Sequence, residues 1–163
     1  MTDLMIRPAL ADDVAAITDI YNLGIESGLG TFETRLREPS EIANWLDEAE
    51  RYPTLVAVQD NKVTGFARLS SYRARPCYDG IAEFSIYLDP KNQGQGGGTR
   101  LLSELLSVAG QAGFHKVLSR IFTANKASLG LCRKLGFREV GVYERHGQLN
   151  GQWLDVVIVE YLT

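Results

Sequence analysis

The stretch Ile81-Ala-Glu-Phe-Ser-Ile-Tyr-Leu88, with Asp89-Pro90 and then Gln93-Gly-Gln-Gly-Gly-Gly98 behind it, decides the fold of this chain. Its first eight residues are β-branched, aromatic and aliphatic, which favours a strand, and the proline ends that strand because it has no N–H to donate. Apolar side chains then recur at helical spacing, at Leu101, Leu102, Leu105, Leu106 and Ala109. The sequence therefore predicts a strand, a glycine-rich turn and a helix whose N-terminus suits an anion.

Two familiar phosphate-binding patterns do not fit this glycine-rich turn. A P-loop needs a lysine after its last glycine, whereas Thr99 and Arg100 follow here, and the dinucleotide pattern needs its third glycine where Thr99 stands. The run from Gln93 to Gly98 instead resembles the Q/R-x-x-G-x-G/A signature of the GNAT superfamily of N-acetyltransferases, which binds the pyrophosphate of acetyl-CoA. The alternative is a flexible glycine linker, although strand and helix adjoin the turn without a polar spacer.

Composition limits the function classes. The chain has 163 residues, of which 45% are hydrophobic and 23% charged, so we expect one globular domain over residues 1–163. A net charge of −3 argues against a nucleic-acid partner. Cys77 and Cys132 are isolated, so we expect reduced thiols and no metal. No apolar run suggests a signal peptide or a membrane span, so we expect no membrane association and a cytoplasmic location.

The remaining segments predict the element order β-α-α-β-β-β-α-β-α-β-β. The stretch from Gly24 to Pro39 contains glycines that suggest an irregular loop, and residues 140–143 and 153–161 are expected to form two final strands around a polar loop at 146–152. This alternation predicts a mixed α/β fold with helices on both faces of the sheet. It matches the GNAT fold, whose central sheet is twisted and mostly antiparallel.

A second motif supports the resemblance. Asn125-Lys-Ala-Ser128, followed by Leu135-Gly-Phe137, resembles the later GNAT motif. The resemblance implies that Asn125 makes a polar contact to the pantetheine arm, although it is equally a helix N-cap. It also implies that the strand backbone pairs with that arm and that the turn holds the pyrophosphate. The expected coenzyme-binding residues are Ile86, Tyr87, Leu88, Gln93, Gly94, Gln95, Gly96, Gly97, Gly98, Asn125 and Ser128.

Glu83 is the candidate catalytic residue. Strand alternation places it with Ser85 and Tyr87 on one face, opposite Phe84 and Ile86. A carboxylate in an apolar strand must be paired or solvated, and a positioned carboxylate can accept a proton from an attacking amine. Its spacing before the turn resembles the glutamate proposed as the base, directly or through water, in phosphinothricin acetyltransferases. The alternative is a structural ion pair with an arginine at 73 or 75.

Two further segments resemble the phosphinothricin acetyltransferases. The loop Tyr72-Arg-Ala-Arg-Pro-Cys-Tyr78 is similar to their arginine-and-tyrosine loop, and Gly151-Gln-Trp-Leu-Asp-Val156 to their Gly-x-Trp-x-Asp-Val ending. The guanidinium of Arg75 is suited to bind a carboxylate or phosphinate through two hydrogen bonds. The alternatives are that the loop arginines bind solvent and that Trp153 is only core. The expected substrate-binding residues are Phe32, Arg73, Arg75, Tyr78 and Glu83.

One position departs from the family pattern. Where many GNAT enzymes have a tyrosine that protonates the leaving thiolate, and phosphinothricin-type members often a histidine, this chain has Cys132. A buried, unreactive cysteine on an apolar helix face is the expectation, since cysteine is among the most buried residues. We therefore assign no general acid.

The resemblance implies an acetyl-CoA-dependent N-acetyltransferase that acts by direct attack in a ternary complex on a small amino-acid-like amine. Phosphinothricin and methionine sulfoximine are the favoured substrate types, and a homodimer is expected because family members commonly dimerise near the loops at 28–36, 72–80 and 143–153. Two alternatives stay open: an acetyltransferase of protein N-termini or lysines, and a catalytically silent acyl-CoA sensor.

Overall fold

The computed structural model describes residues 3–163, which form a seven-stranded sheet and four α-helices. The strands are β1 (Met5–Pro8), β2 (Thr54–Gln59), β3 (Lys62–Ser71), β4 (Ile81–Leu88), β5 (Lys116–Phe122), β6 (Arg138–Leu149) and β7 (Gln152–Leu162). The helices are α1 (Val14–Ser27), α2 (Pro39–Asp47), α3 (Gly97–Gln111) and α4 (Lys126–Lys134). The predicted element order is confirmed.

The sheet order is β1-β2-β3-β4-β5-β7-β6, and within the described residues β4 and β5 are the one parallel pair of neighbours. One face packs against α1 and α2, around Ile17, Ile42 and Phe66. The other packs against α3 and α4, where Leu102 and Leu129 are among the buried side chains. The predicted mixed α/β fold with helices on both faces is therefore confirmed.

The predicted loop at 146–152 is wrong. β6 continues to Leu149 and turns into β7 through Asn150 and Gly151, which have φ values of 51° and 82°. An Asn-Gly pair between strands favours a tight hairpin, because both turn residues adopt positive φ. The polar sequence concealed the strand because the β6–β7 register shifts between Tyr143 and Gly147, and β6 is an exposed edge strand.

The expected irregular loop begins later than Gly24. α1 continues to Ser27 and ends at Gly28, whose φ is 70°. Gly24 serves the packing of the helix, since a Cβ at this position would lie 2.6 Å from Cδ1 of Tyr87. The helix thus approaches β4 closely at a residue without a side chain. The irregular segment is accordingly shorter, from Gly28 to Glu38.

β4 and β5 separate part of the way along their length. They pair only over residues 81–83 and 116–118, after which Ser119 Oγ donates a hydrogen bond to the carbonyl of Phe84 at 3.1 Å. β4 meanwhile remains paired with β3 as far as Leu88. The edge of β4 that faces β5 is therefore open beyond this point. Within residues 3–163, no helix combines the length and the apolar character needed to cross a membrane.

Candidate active site

A cavity of about 470 Å³ occupies the gap between β4 and β5. Its wall includes the predicted site residues Glu83, Ile86, Tyr87, Asn125 and Ser128, and the predicted acceptor residue Phe32 also lines it. The strand alternation expected around Glu83 is confirmed, because Phe84 belongs to the core under α3 and α4 whereas Tyr87 packs against the core under α1 and α2. The separation of the two strands thus joins residues from several parts of the chain in one cavity.

The glycine-rich turn lies at the end of β4, outside the cavity wall. Gly94 and Gly96 have φ values of 79° and 83°, in the left-handed region that favours glycine, and Gly96 immediately precedes α3. Within the described part of the chain, no backbone or side-chain acceptor is hydrogen-bonded to the N–H groups of residues 93–99. A turn with unpaired donors at the start of a 15-residue helix fits a diphosphate group.

Glu83 is paired with an arginine that the sequence analysis did not single out. Nη2 of Arg120 donates to both carboxylate oxygens of Glu83, at 3.1 and 3.2 Å. The alternative of an ion pair between Glu83 and Arg73 or Arg75 is therefore wrong, since the cationic partner comes from β5. The carboxylate side chain is 21% exposed and the guanidinium side chain 50% exposed, so the pair lies at the surface of the cavity.

A short roof crosses the cavity, formed by residues 28–33 of the α1–α2 connection. Asn125 Nδ2 donates to the carbonyl of Leu29 at 3.2 Å, and Tyr87 Oη donates to the carbonyl of Gly30 at 3.3 Å. The ring of Phe32 packs edge-to-face on Phe122, with centroids 4.7 Å apart. These contacts hold the roof against α4, β4 and β5.

Asn125 has a structural role in addition to its place in the cavity wall. Its Oδ1 accepts a hydrogen bond from the N–H of Ser128 at 3.2 Å, so it caps the N-terminus of α4 as the alternative interpretation expected. Since its amide also binds the roof, this one side chain connects the start of α4 to the cover of the cavity.

Cys132 is packed in the core, as expected from its place on an apolar helix face. Its residue is only 2% exposed, and burial, with a smaller contribution from the charge of Glu139, raises the pKa of the thiol to about 12. The side chain is therefore a neutral thiol near pH 7. Burial thus disfavours a thiolate nucleophile at this position near pH 7.

The predicted arginine-and-tyrosine loop lies beside the cavity without lining it. Tyr72 and Tyr78 pack edge-to-face with centroids 5.6 Å apart, and the guanidinium of Arg73 lies 5.1 Å from the ring centre of Tyr72. Arg75 is exposed at the start of a 3-10 turn. Leu88 likewise lies outside the cavity wall. The interpretation of Trp153 as core is wrong, because this side chain is 57% exposed.

Arg120 and His146 are two of the polar cavity residues that sequence reasoning missed. A signal existed for Arg120, since a lone arginine interrupts the apolar strand Val117-Leu-Ser-Arg-Ile-Phe122. No comparable signal existed for His146, because the bulge that directs this part of β6 to the cavity cannot be recognised from the residue types.

Comparisons with known proteins agree with this geometry. Residues 17–137 match the model of the Acetyltransferase (GNAT) family. Phosphinothricin N-acetyltransferase from Streptomyces viridochromogenes is 36% identical over 93% of this chain and 83% of that protein. The L-methionine sulfoximine/L-methionine sulfone acetyltransferase of Salmonella typhimurium is 31% identical over 96% of this chain and 93% of its own.

A solved structure extends the comparison to the fold. The phosphinothricin acetyltransferase from Sinorhizobium meliloti, determined in complex with acetyl-CoA, superimposes with a TM-score of 0.92 at 33% identity, covering 98% of this chain and 88% of that one. The chain therefore belongs to the acetyltransferase (GNAT) family.

Proposed function

We propose that this chain transfers the acetyl group of acetyl-CoA to the amine of a small amino-acid-like acceptor of the phosphinothricin or methionine sulfoximine type. The observation that carries the proposal is one cavity that joins the open edge of β4 to the carboxylate of Glu83. The activities for which the Streptomyces and Salmonella relatives are named support this acceptor class.

Two backbone segments are assigned to the coenzyme. The open edge of β4 at Ile86, Tyr87 and Leu88 can pair with an extended pantetheine arm in the manner of an added strand. The N–H groups of residues 93–98 are assigned to the diphosphate of the coenzyme, which the positive end of α3 also attracts. Asn125 and Ser128 are assigned polar contacts to the arm, because they line the same cavity from the start of α4.

Glu83 is assigned as the general base. An amine attacks a thioester only through its free electron pair, so the nitrogen must lose a proton as its bond to the acetyl carbon forms. Glu83 accepts that proton directly or through one water, while the carbon–sulfur bond breaks and its electron pair leaves on sulfur. Transfer is direct in a ternary complex, which agrees with the neutral, buried thiol of Cys132.

Protonation of the departing sulfur is left to solvent. An unperturbed cysteine thiol has a pKa of about 8.5. The pKa of the Cys132 thiol is raised to about 12 by burial, so transfer of its proton to a thiolate would be unfavourable. No described side chain of the cavity wall is assigned as the acid.

The acceptor is proposed to enter between the roof and the loop of residues 72–80. Phe32 provides an apolar contact inside the cavity. Arg73, Arg75 and Tyr78 lie on the loop that leads into β4 two residues before Glu83, and we assign them to the distal anionic group of the acceptor. The activities for which the relatives are named favour a small molecule over a protein substrate.

A homodimer in the cytoplasm completes the proposal. Val142, Tyr143 and Trp153 of the β6–β7 hairpin are each more than half exposed, and such apolar groups favour a second copy of the chain. Cys77 and Cys132 are free thiols, which suits a reducing compartment. Sedimentation velocity tests the dimer. Wild-type protein is expected to sediment as a dimer and Trp153→Asp as a monomer. A wild type that sediments as a monomer would reject the proposal.

The function is tested by incubating the protein with acetyl-CoA and a panel of amines while measuring free thiol release. The panel contains phosphinothricin, methionine sulfoximine, methionine sulfone, simple alkylamines and peptides with free N-termini or lysines. Turnover of the amino-acid analogues, confirmed by mass spectrometry of the acetylated product, is expected. Turnover of peptides alone would favour the protein acetyltransferase, and tight acetyl-CoA binding without turnover of any amine would favour the silent sensor.

A further inference from the structure

Arg120 is placed on β5 so that its side chain reaches Glu83 across the gap between the strands. Glu83 pairs with Leu118 in the parallel register, and Arg120 lies two residues further along the same strand. Residues two apart on a strand point to the same face. The guanidinium consequently emerges beside the candidate base, on the wall of the cavity.

The described cavity wall contains one arginine and no lysine. That arginine is Arg120, and the wall also contains the carboxylates of Glu33 and Glu83. Glu33 already pairs with Arg37 at 2.9 Å. An anionic group that enters this cavity therefore meets a single guanidinium as its complementary charge.

The guanidinium also retains hydrogen-bonding capacity. An arginine side chain carries five N–H donors. Only Nη2 of Arg120 is engaged, with both carboxylate oxygens of Glu83, and no acceptor in residues 3–163 is hydrogen-bonded to Nε or Nη1. The side chain is half exposed, so its remaining donors are accessible to a ligand.

The direct contact between the two side chains matches the chemistry of an α-amino acid, whose amine and carboxylate are attached to the same carbon. A base for the amine and a cation for the carboxylate must then be immediate neighbours, as Glu83 and Arg120 are at 3.1 Å. An arginine on the 72–80 loop, which lies outside the cavity wall, is better placed for a group further from the amine.

We propose that Arg120 determines acceptor specificity by binding the α-carboxylate of the substrate while Glu83 receives the proton of the adjacent amine. This rests on the proposed function and deepens it, because it restricts the acceptor to α-amino acids and separates two anion sites. Arg120 binds the carboxylate beside the reacting nitrogen, and Arg75 the distal phosphinate or sulfone. An amine without the carboxylate leaves the free donors of Arg120 unpaired and binds weakly.

The test compares each α-amino acid with its carboxamide, which keeps the amine and side chain but removes the anion. Binding of methionine sulfone, phosphinothricin and their α-amides to the protein saturated with coenzyme A, which carries no acetyl group, is measured by calorimetry. Wild-type protein is expected to prefer the acids, and Arg120→Gln to weaken binding of the acids by about 10- to 100-fold, as expected for a charge-assisted hydrogen bond. Binding of the amides is expected to change by less than about threefold.

Two controls separate this role from charge and from folding. Arg133→Gln removes the same charge at an exposed ion pair with Glu139 outside the cavity wall, and it is expected to keep the preference for acids. With acetyl-CoA in place of coenzyme A, Arg120→Gln is expected to raise KM for the acids far more than for the amides. Because Arg120 also contacts Glu83, the substitution can change kcat as well, and this change is expected to be the same for acids and amides.

Each outcome decides between the two claims. An Arg120→Gln protein that still prefers acids, or a wild type that binds amides as well as acids, overturns the specificity role of Arg120. Selective binding of the acids by wild type that is lost in Arg120→Gln, without acetyl transfer from acetyl-CoA, supports this role and overturns the proposed function instead.

Discussion

The two ends of the β4–β5 junction differ in structure although the same two strands form both. At one end, residues 81–83 and 116–118 are paired, and Ala82 and Val117 are fully buried. At the other, the strands diverge and a cavity of about 470 Å³ lies between them. The closed end therefore contributes to the packed core, whereas the open end lacks the sheet hydrogen bonds and contains the cavity in their place.

Glu83 lies at the boundary between the two ends, so its substitution gives the largest expected effect on chemistry. Glu83→Gln keeps the shape but removes the proton acceptor, and we expect kcat to fall by about 10²- to 10⁴-fold. The dissociation constant for acetyl-CoA, measured by calorimetry, is expected to stay within about twofold.

Glu139→Gln, which removes an exposed carboxylate paired with Arg133, is the matched control and is expected to keep full turnover. If Glu83→Gln kept the wild-type kcat across the accessible pH range, Glu83 could not be the general base.

Val117 tests the closed end. Val117→Ala removes two buried methyl groups opposite Ala82, and we expect the free energy of unfolding to fall by about 2 kcal/mol. Denaturant unfolding measures this, and kcat of the folded variant is expected to remain near wild type. A loss of turnover without a loss of stability would contradict the division between the two ends.

The glycine-rich turn tests the open end at the coenzyme side. Gly96→Ala forces a side chain onto a residue with φ of 83°, and the strain is expected to distort the N–H groups and to weaken acetyl-CoA binding by about tenfold. Calorimetric titration with acetyl-CoA measures the change.

Gly113→Ala is a close control for this substitution. Gly113 has φ of 92°, a Cβ would meet no atom within 4 Å at either glycine, and Gly113 lies in the connection from α3 to β5. Both variants are expected to lose similar stability while only Gly96→Ala loses affinity. Equal affinity losses would show that general destabilisation, and not the turn, is responsible.

The Arg7–Asp13 pair sharpens the contrast between charges of the fold and charges of the cavity. Asp13 accepts hydrogen bonds from Arg7 at 2.7 and 3.1 Å. These hydrogen bonds are the main reason why the pKa of Asp13 is lowered below its usual range, and burial opposes the shift. A carboxylate with a lowered pKa stabilises the fold above its ordinary pKa of about 4, and this contribution is lost as the pH falls through the native pKa.

Asp13→Asn is therefore expected to cost on the order of 1 kcal/mol at pH 7 and less at pH 3, with no effect on turnover. Denaturant unfolding at several pH values measures this difference. If the cost of the substitution were the same at pH 3 and pH 7, the ion pair would have no part in acid stability.

Much of the fold was predictable because its signals are local. The Asp89-Pro90 stop, the helical repeat from Leu101 and the Asn125 cap each depend on neighbouring residues, and the structure contains the strand and helices that they predict. The two final strands were predicted, but their connection was expected at 146–152 and not at Asn150-Gly151, because a bulge and an exposed edge removed the apolar alternation expected of a strand.

The candidate site was only partly predictable, because it depends on contacts distant in sequence. Glu83 was identifiable as a carboxylate in an apolar strand, but its partner Arg120 lies 37 residues away and is brought near by the parallel pairing of β4 and β5. The attachment of Asn125 to the carbonyl of Leu29 spans 96 residues. Such contacts follow from the sheet order, which local patterns do not specify.

The central claim is that acetyl-CoA lies in the gap between β4 and β5 with its thioester beside Glu83. A crystal structure of the complex with acetyl-CoA tests this most directly. We expect the pantetheine arm along the edge of β4 at Ile86–Leu88, the diphosphate at the N–H groups of residues 93–98, and the acetyl group facing Glu83. A coenzyme bound elsewhere, with the gap and the glycine-rich turn making no contact to it, would contradict the account.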